Sequence, residues 1–492
     1  MTQPETTGAD IAPAVVIETG IIRGLRVAGV DRYLGVQYAA APVGPNRFAP
    51  PQPAPSHDDE RDCGRHGPTP PQLPYSGGME RYLSTVTVPG DEILNLAIWA
   101  PSETPTVRWH PVIVWIHGGS LTRGSNALPV YDGTAFARDG AVFISVNYRL
   151  GAEGFSVIDG ADTNLGLADI VAALRWVRRN AAQFGGDPDN VTVMGESAGA
   201  ICIAALLAHP DARDLFDKAI MQSGPPDARP RAKTKGISDL MARNLGVKAT
   251  RAAFAGIRAD RLLEAQREVT AGTTPLTGGP AFNLTIDDNL ILADPAEAIS
   301  VGAGSDIPLL IGSNTEEYRL WFIPTGLLKK IGWLHIAAAM LTFKISPRTV
   351  AMYRRNRPGA SVGELFGALA TDLLLRVPIN KIADARLTER EAATHVYEFS
   401  WRSPVEDLGA CHALELGFVF DALASEDATA LAGPDAPQPL ASAMHSAWVE
   451  FARSGNPGWP AWNAFRPVKV WDGDANPVTH APRDAERAAW RK

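Results

Sequence analysis

The nine residues VTVMGESAG, 191–199, decide the fold. Val191, Val193 and their neighbours make a short β-branched, apolar run of the kind that fills a buried strand. Gly195-Glu196-Ser197-Ala198-Gly199 follows at once, and residues 198–208 then read as an apolar helix. A Gly-x-Ser-x-Gly turn between a strand and a helix holds its serine on a tight bend, with the hydroxyl exposed and the helix N-terminus behind it. Ser197 is therefore a candidate nucleophile, and the two glycines leave room for the strained backbone.

Working outward, the same alternation recurs. Residues 111–116 (PVIVWI) form an apolar run that ends on His117-Gly118-Gly119-Ser120, and residues 141–146 (AVFISV) form another. Leu167, Ile170, Val171, Leu174 and Val177 then fall at helical spacing, before Phe184-Gly185-Gly186 stops the helix. Further short strands are expected at 219–221, 307–311 and 394–399. Strands alternating with helices imply an α/β fold with a large, mostly parallel sheet covered on both faces. In such sheets chemistry sits beyond the carboxyl ends of the strands. Residues 325–371 break the pattern: they are apolar and helix-rich, carry Lys329, Lys330, Arg354, Arg355 and Arg357, and show no strand signal. They read as a helical excursion, either added packing or a cap over the site; we take it as cap-like.

A serine hydroxyl needs a base to take its proton and donors for the oxyanion it generates. The backbone N–H groups of Gly119 and Ser120, just past a strand, and of Ala198 are candidate donors. Among ten histidines, His57, His66 and His480 lie in Pro- or Gly-rich loops, and His209 is tethered to the end of the helix after Ser197. His395 opens a strand and His445 lies in a helix. His412, late in the chain and in a loop after a strand, fits the chain order nucleophile, acid, base. The acid is then Glu316 or Glu317, after strand 307–311.

Composition excludes other classes. With 492 residues, 45% apolar and 20% charged, the chain is not disordered, and its net charge of −8 lacks the basic footprint of a nucleic-acid binder. Length alone allows about three domains. The 45 glycines and 39 prolines imply many turns. Three cysteines, Cys63, Cys202 and Cys411, cannot build a disulfide framework or a four-cysteine zinc site, which suits a reducing compartment. Residues 1–13 hold no Lys or Arg and precede no apolar core of a signal peptide. The longest apolar runs, 198–208 and 331–343, fall short of the roughly 18 residues that a membrane span needs. A soluble, cytoplasmic protein with a disordered leader over residues 1–15 is expected. The cluster Arg229, Arg231, Lys233, Lys235 reads as a solvated loop rather than a substrate-attracting patch.

The chain also resembles the type-B carboxylesterase family, particularly its bacterial para-nitrobenzyl-esterase-like members. The likeness runs from about residue 16 to 472 through LGVQYA (34–39), PVGPNRF (42–48), NYRLG (147–151), NLGLAD (164–169), FGGDP (184–188), QSG (222–224), HALEL (412–416) and WVEFARSGN (448–456). It implies the α/β-hydrolase fold as one domain, 16–492, with 325–371 inside it. It also implies a Ser197–His412–Glu317 triad, with Glu316 at the neighbouring Asp position and Tyr318 where the family has glycine. Ser223 would support the acid by a hydrogen bond, Glu196 would stand next to the nucleophile, and Ser120 replaces a usual Gly or Ala. The family's disulfide positions hold Pro70 and Ile93. Tyr75 and Tyr82 occur in that loop without a tryptophan, so a choline cage is not evident.

The implied activity is hydrolysis of small-molecule carboxylic esters through an acyl-enzyme, with no metal or other cofactor. A mainly apolar gorge, walled in part by 325–371, and a preference for neutral esters are expected. The competing readings are a non-catalytic binding protein on this fold, and a hydrolase of amides, carbamates or thioesters. Cys411, beside His412, is expected to pack, yet a bulky reagent on it would block the base.

Overall fold

A computed structural model describes residues 10–103, 109–271, 273, 281–389 and 392–490. Its strands are β1 (Asp10–Ile17), β2 (Gly20–Val27), β3 (Val30–Gln37), β4 (Arg61–Asp62), β5 (Asn95–Pro101), β6 (His110–Ile116), β7 (Val142–Val146) and β8 (Gly186–Glu196). They continue with β9 (Lys218–Gln222), β10 (Arg229–Pro230), β11 (Thr285–Ile286), β12 (Leu309–Asn314), β13 (Thr394–Phe399), β14 (Pro467–Trp471) and β15 (Val478–His480). Thirteen of these make one sheet in the order β1-β2-β3-β5-β7-β6-β8-β9-β12-β13-β14-β15, with β4 beside β2; β10 and β11 pair separately. From β7 through β14 every neighbour is parallel, and the flanking pairs β1/β2, β2/β3, β3/β5, β5/β7 and β14/β15 are antiparallel.

The β-branched runs become central strands because both of their faces are covered. In β6, Val112, Val114 and Ile116 point into one apolar layer, while Ile113 and Trp115 point into the other. β7 splits in the same way, Val142, Ile144 and Val146 against Phe143. This period of two sets the register of each strand. The Leu165–Asn180 helix covers the first face, and the Gln438–Ser454 helix covers the second through Met444, Trp448 and Phe451.

Two local expectations change. Asp10–Ile17 is strand β1 rather than leader, and residues 1–9 lie outside the described residues. The basic run is not a loop: it opens the Arg231–Leu245 helix, where Arg231 and Lys233 are exposed. Residues 325–371 are helical as expected, with helices Leu327–Lys330, Trp333–Phe343, Pro347–Asn356 and Val362–Thr371. The C-terminal Asp484–Ala489 helix is fastened to that segment. Glu486 accepts from Arg357 at 2.7 Å and from Asn356 at 2.8 Å, and Trp490 Nε1 donates to Tyr353 Oη at 2.8 Å.

One buried ion pair fixes the loop after β7. Arg149 donates twice to Asp169, at 2.8 and 2.6 Å, with side chains 1% and 0% exposed, and once to the Ala49 carbonyl at 2.6 Å. Its neighbour Tyr148 donates to the His117 carbonyl at 2.8 Å, so this loop braces the turn after β6. Asp169→Asn leaves an uncompensated buried guanidinium, and about 3–5 kcal/mol of stability is expected to be lost. A urea midpoint within error of wild type would contradict this role.

Candidate active site

β8 ends at Glu196, and Ser197 follows at φ +53°, ψ −120°, a strained conformation that turns the chain straight into the Ala198–Leu207 helix. The bend is held from both sides. Ser197 N–H donates to the Gln222 carbonyl at 2.9 Å, and a Cβ at Gly199 would lie 1.9 Å from the Ile116 carbonyl oxygen. Only glycine lets the new helix approach β6 that closely.

After β6 the chain makes a second turn beside the first. Gly119 sits at φ +109°, where a Cβ would meet the Arg123 carbonyl oxygen at 2.2 Å, and Ser120 follows at φ +56°. Among the described residues no acceptor takes the backbone N–H of Gly119, Ser120 or Ala198. Gly119 and Ser120 line a cleft of about 800 Å³ together with Ser197, Glu196 and His412. Its remaining lining is largely apolar and includes Tyr75, Met79, Leu83, Trp321, Leu414 and Leu431. Residues 325–371 supply none of this lining, contrary to expectation, because the excursion begins just beyond the Trp321 wall. Tyr75 lies in the lining whereas Tyr82 donates to Glu406 at 2.6 Å, outside it.

The base candidate is held between two carboxylates. His412 Nδ1 lies 2.6 Å from Glu317 Oε2, and Glu317 Oε1 accepts from Ser223 Oγ and from Asn314 N–H, both at 2.7 Å. Three donors around one buried carboxyl fix its orientation. Glu316 faces elsewhere: it pairs with Arg319 at 2.8 Å and with Arg402, and accepts from Ala410 N–H at 3.1 Å. On the other side of the ring, His412 Nε2 lies 2.9 Å from Glu196 Oε1, within ion-pair range but off the line of a hydrogen bond. Among the described residues no hydrogen bond joins Ser197 Oγ to His412. Burial pulls the imidazole pKa down, but Glu196 and Glu317 outweigh it and hold the group well above its ordinary value.

Several supporting residues were not singled out from sequence. Trp321 lies against His412 with ring centroids 4.7 Å apart and planes tilted by 35°. Asn314, at the end of β12, spans the acid and base loops: its side chain donates to the Cys411 carbonyl and to Glu415 Oε2, both at 2.6 Å. Glu415 is fully buried, accepts from Gln222 Nε2 at 3.1 Å, and is pushed up to about 8 by burial and by Glu196 and Glu317. Gln222 in turn accepts from Trp448 Nε1 at 3.1 Å. Glu415, Gln222 and Trp448 left a sequence signal, in the motifs HALEL, QSG and WVEFARSGN, whereas Trp321 and Asn314 left none. Cys411 is fully buried and its thiol is raised well above the usual range by burial, so a reagent has neither access nor thiolate there, and the blocking route through it falls away. Among the described residues no group of three or more His, Cys, Asp or Glu side chains could hold a metal ion, and no helix is long and apolar enough to cross a membrane.

Comparison with known proteins agrees with this architecture. The model of the carboxylesterase family matches residues 11–485. Para-nitrobenzyl esterase of Bacillus subtilis is 35% identical over 463 residues, covering 91% of this chain and 92% of the relative. Phenmedipham hydrolase of Pseudarthrobacter oxydans is 34% identical, covering 94% and 95%. The crystal structure of a Geobacillus stearothermophilus carboxylesterase superposes with a TM-score of 0.85 at 33% identity, covering 97% of this chain and all of that one.

Proposed function

Starting from a chain that belongs to the carboxylesterase family, has the α/β-hydrolase fold and hydrolyses carboxylic esters, we propose that it works through a Ser197–His412–Glu317 triad and an acyl-enzyme. The observation that carries this reading is one cleft shared by Ser197 and His412, with the imidazole anchored to Glu317 at 2.6 Å. Neutral His412 accepts the Ser197 proton while Oγ attacks the ester carbonyl. The Gly119, Ser120 and Ala198 N–H groups take the oxyanion. His412 then returns the proton to the departing alcohol, and a water attacks the acyl-enzyme by the same steps in reverse. Ser223 and Asn314 keep Glu317 fixed, so it orients the ring and stabilises the imidazolium.

Glu196 sets the resting state. Its carboxylate favours imidazolium, which is inactive as a base, so activity rises only as pH climbs through a raised His412 pKa. The acid limb of the kcat/KM profile is expected above the ordinary imidazole value of about 6.5. In Glu196→Gln one of the two raising charges is gone and the limb moves to lower pH. An acid limb that stays put in this variant would refute the role given to Glu196.

The cleft favours neutral esters over anionic ones, because among the described residues its lining includes Glu196 and Asp427 but no lysine or arginine. We place the chain in a reducing compartment, the cytoplasm, on its three buried free cysteines, and read the domain expected over 16–492 as one catalytic domain that also takes in the whole of β1. The deciding experiment is fluorophosphonate labelling mapped to Ser197, with p-nitrophenyl ester turnover in parallel. A non-catalytic scaffold would leave Ser197 unlabelled, and faster turnover of matched amides, carbamates or thioesters would favour those substrates instead.

A further inference from the structure

Residues 325–357 contain seven lysines and arginines and no aspartate or glutamate, in a chain whose net charge is −8. At the centre of this stretch is the Trp333–Phe343 helix, WLHIAAAMLTF, in which only Ile336 is buried. Ile336 packs with Ile345, Val350, Tyr353, Leu365 and Leu369, so the helix rests on a formed core of its own. Its outer face is apolar and uncovered: Leu334 is 85% and Leu341 84% exposed, seven residues apart on one side of the helix, flanked by half-exposed Trp333 and Phe343. Cations border this face. Lys329 and Lys330 precede it, and Arg354 stands 5.5 Å over the Trp333 ring. Among the described residues no carboxylate pairs with Lys329, Lys330, Arg348, Arg354 or Arg355.

We propose that this helix is a docking face for an anionic lipid bilayer, lying in the interface with Leu334 and Leu341 among the acyl chains. An apolar ridge with aromatic ends and a basic border matches both layers of such a surface, the acyl boundary and the headgroups. A second copy of the chain is the poorer match. A two-fold pair would lay this patch on itself and bring its cations together without acids between them. The excursion leaves the catalytic cleft at Trp321, twelve residues before Trp333, so docking would hold the esterase against a phase that concentrates apolar esters. The reading is independent of the proposed triad.

Sedimentation of the full chain with vesicles tests it, using phosphatidylglycerol mixed into phosphatidylcholine against phosphatidylcholine alone. Because each cation near an anionic surface multiplies partitioning roughly fivefold, binding to the anionic vesicles is expected to fall more than about tenfold in Lys329→Glu/Lys330→Glu or in high salt. Leu334→Asp/Leu341→Asp should lose binding to a similar extent, with p-nitrophenyl acetate hydrolysis in solution unchanged. Wild-type protein left in the supernatant at low salt would overturn the proposal, as would undiminished binding of the leucine variant. A dimer that the leucine variant dissolves would assign the face to a second copy instead.

Discussion

Ser197→Ala is expected to lose on the order of 10⁶ in turnover of p-nitrophenyl acetate while the protein folds and binds as before. The size follows from the triad acting as a unit: without Oγ there is nothing for His412 to deprotonate and no acyl-enzyme. What survives is the roughly 10³–10⁴-fold advantage over water that donors and binding alone provide. Alanine should be accommodated, since among the described residues no side-chain hydrogen bond of Ser197 holds the turn, which is fastened by its N–H to the Gln222 carbonyl and by the closely packed Gly199. Stopped-flow traces should lose any burst of nitrophenol. Turnover near the wild-type rate would remove Ser197 from the mechanism.

Glu317→Gln is expected to cost about 10⁴ in kcat with little change in KM. In the native site Glu317 only accepts: from His412 Nδ1 at 2.6 Å, from Ser223 Oγ and from Asn314 N–H. An amide brings two N–H donors of its own. Facing the imidazole, it favours the tautomer with its proton on Nε2, which cannot act as base toward Ser197. Glu316→Gln is the control, because Glu316 is occupied by Arg319 and Arg402 rather than by His412. It should stay within about fivefold of wild type, with a modest loss of stability from its half-buried ion pairs. If Glu316→Gln were the crippling change and Glu317→Gln the mild one, the acid would have to be reassigned.

What could be read from the chain before folding follows a physical division. The central strands were legible because two-sided burial leaves an unbroken β-branched run, as in PVIVWI and AVFISV. β1, β2 and β3 were not, since the antiparallel edge has mixed burial and no such run marks it. β5 is buried almost throughout, but NLAIWAP has one β-branched residue, contains two alanines and ends in proline. In the site, Ser197 announced itself through local backbone demands, and Glu317 through the family pattern. The separations of 97 and 101 residues between Asn314 and its partners Cys411 and Glu415 have no local trace, so that bridge could only emerge from the fold. The same holds for Trp321 over His412. The expected cap turned out to line no part of the cleft, because apolar helical sequence specifies packing without specifying what it packs over.

The positive φ of Ser197 also limits which nucleophiles this scaffold can ever carry. At φ +53° a β-branched side chain crowds its own carbonyl, so threonine, although it offers the same hydroxyl, is excluded by handedness rather than by chemistry. Cysteine is unbranched and fits. For drift or for an engineer, the accessible route away from an oxygen nucleophile at position 197 therefore leads to sulfur, and a secondary alcohol is closed off by the same bend that makes the primary one reactive.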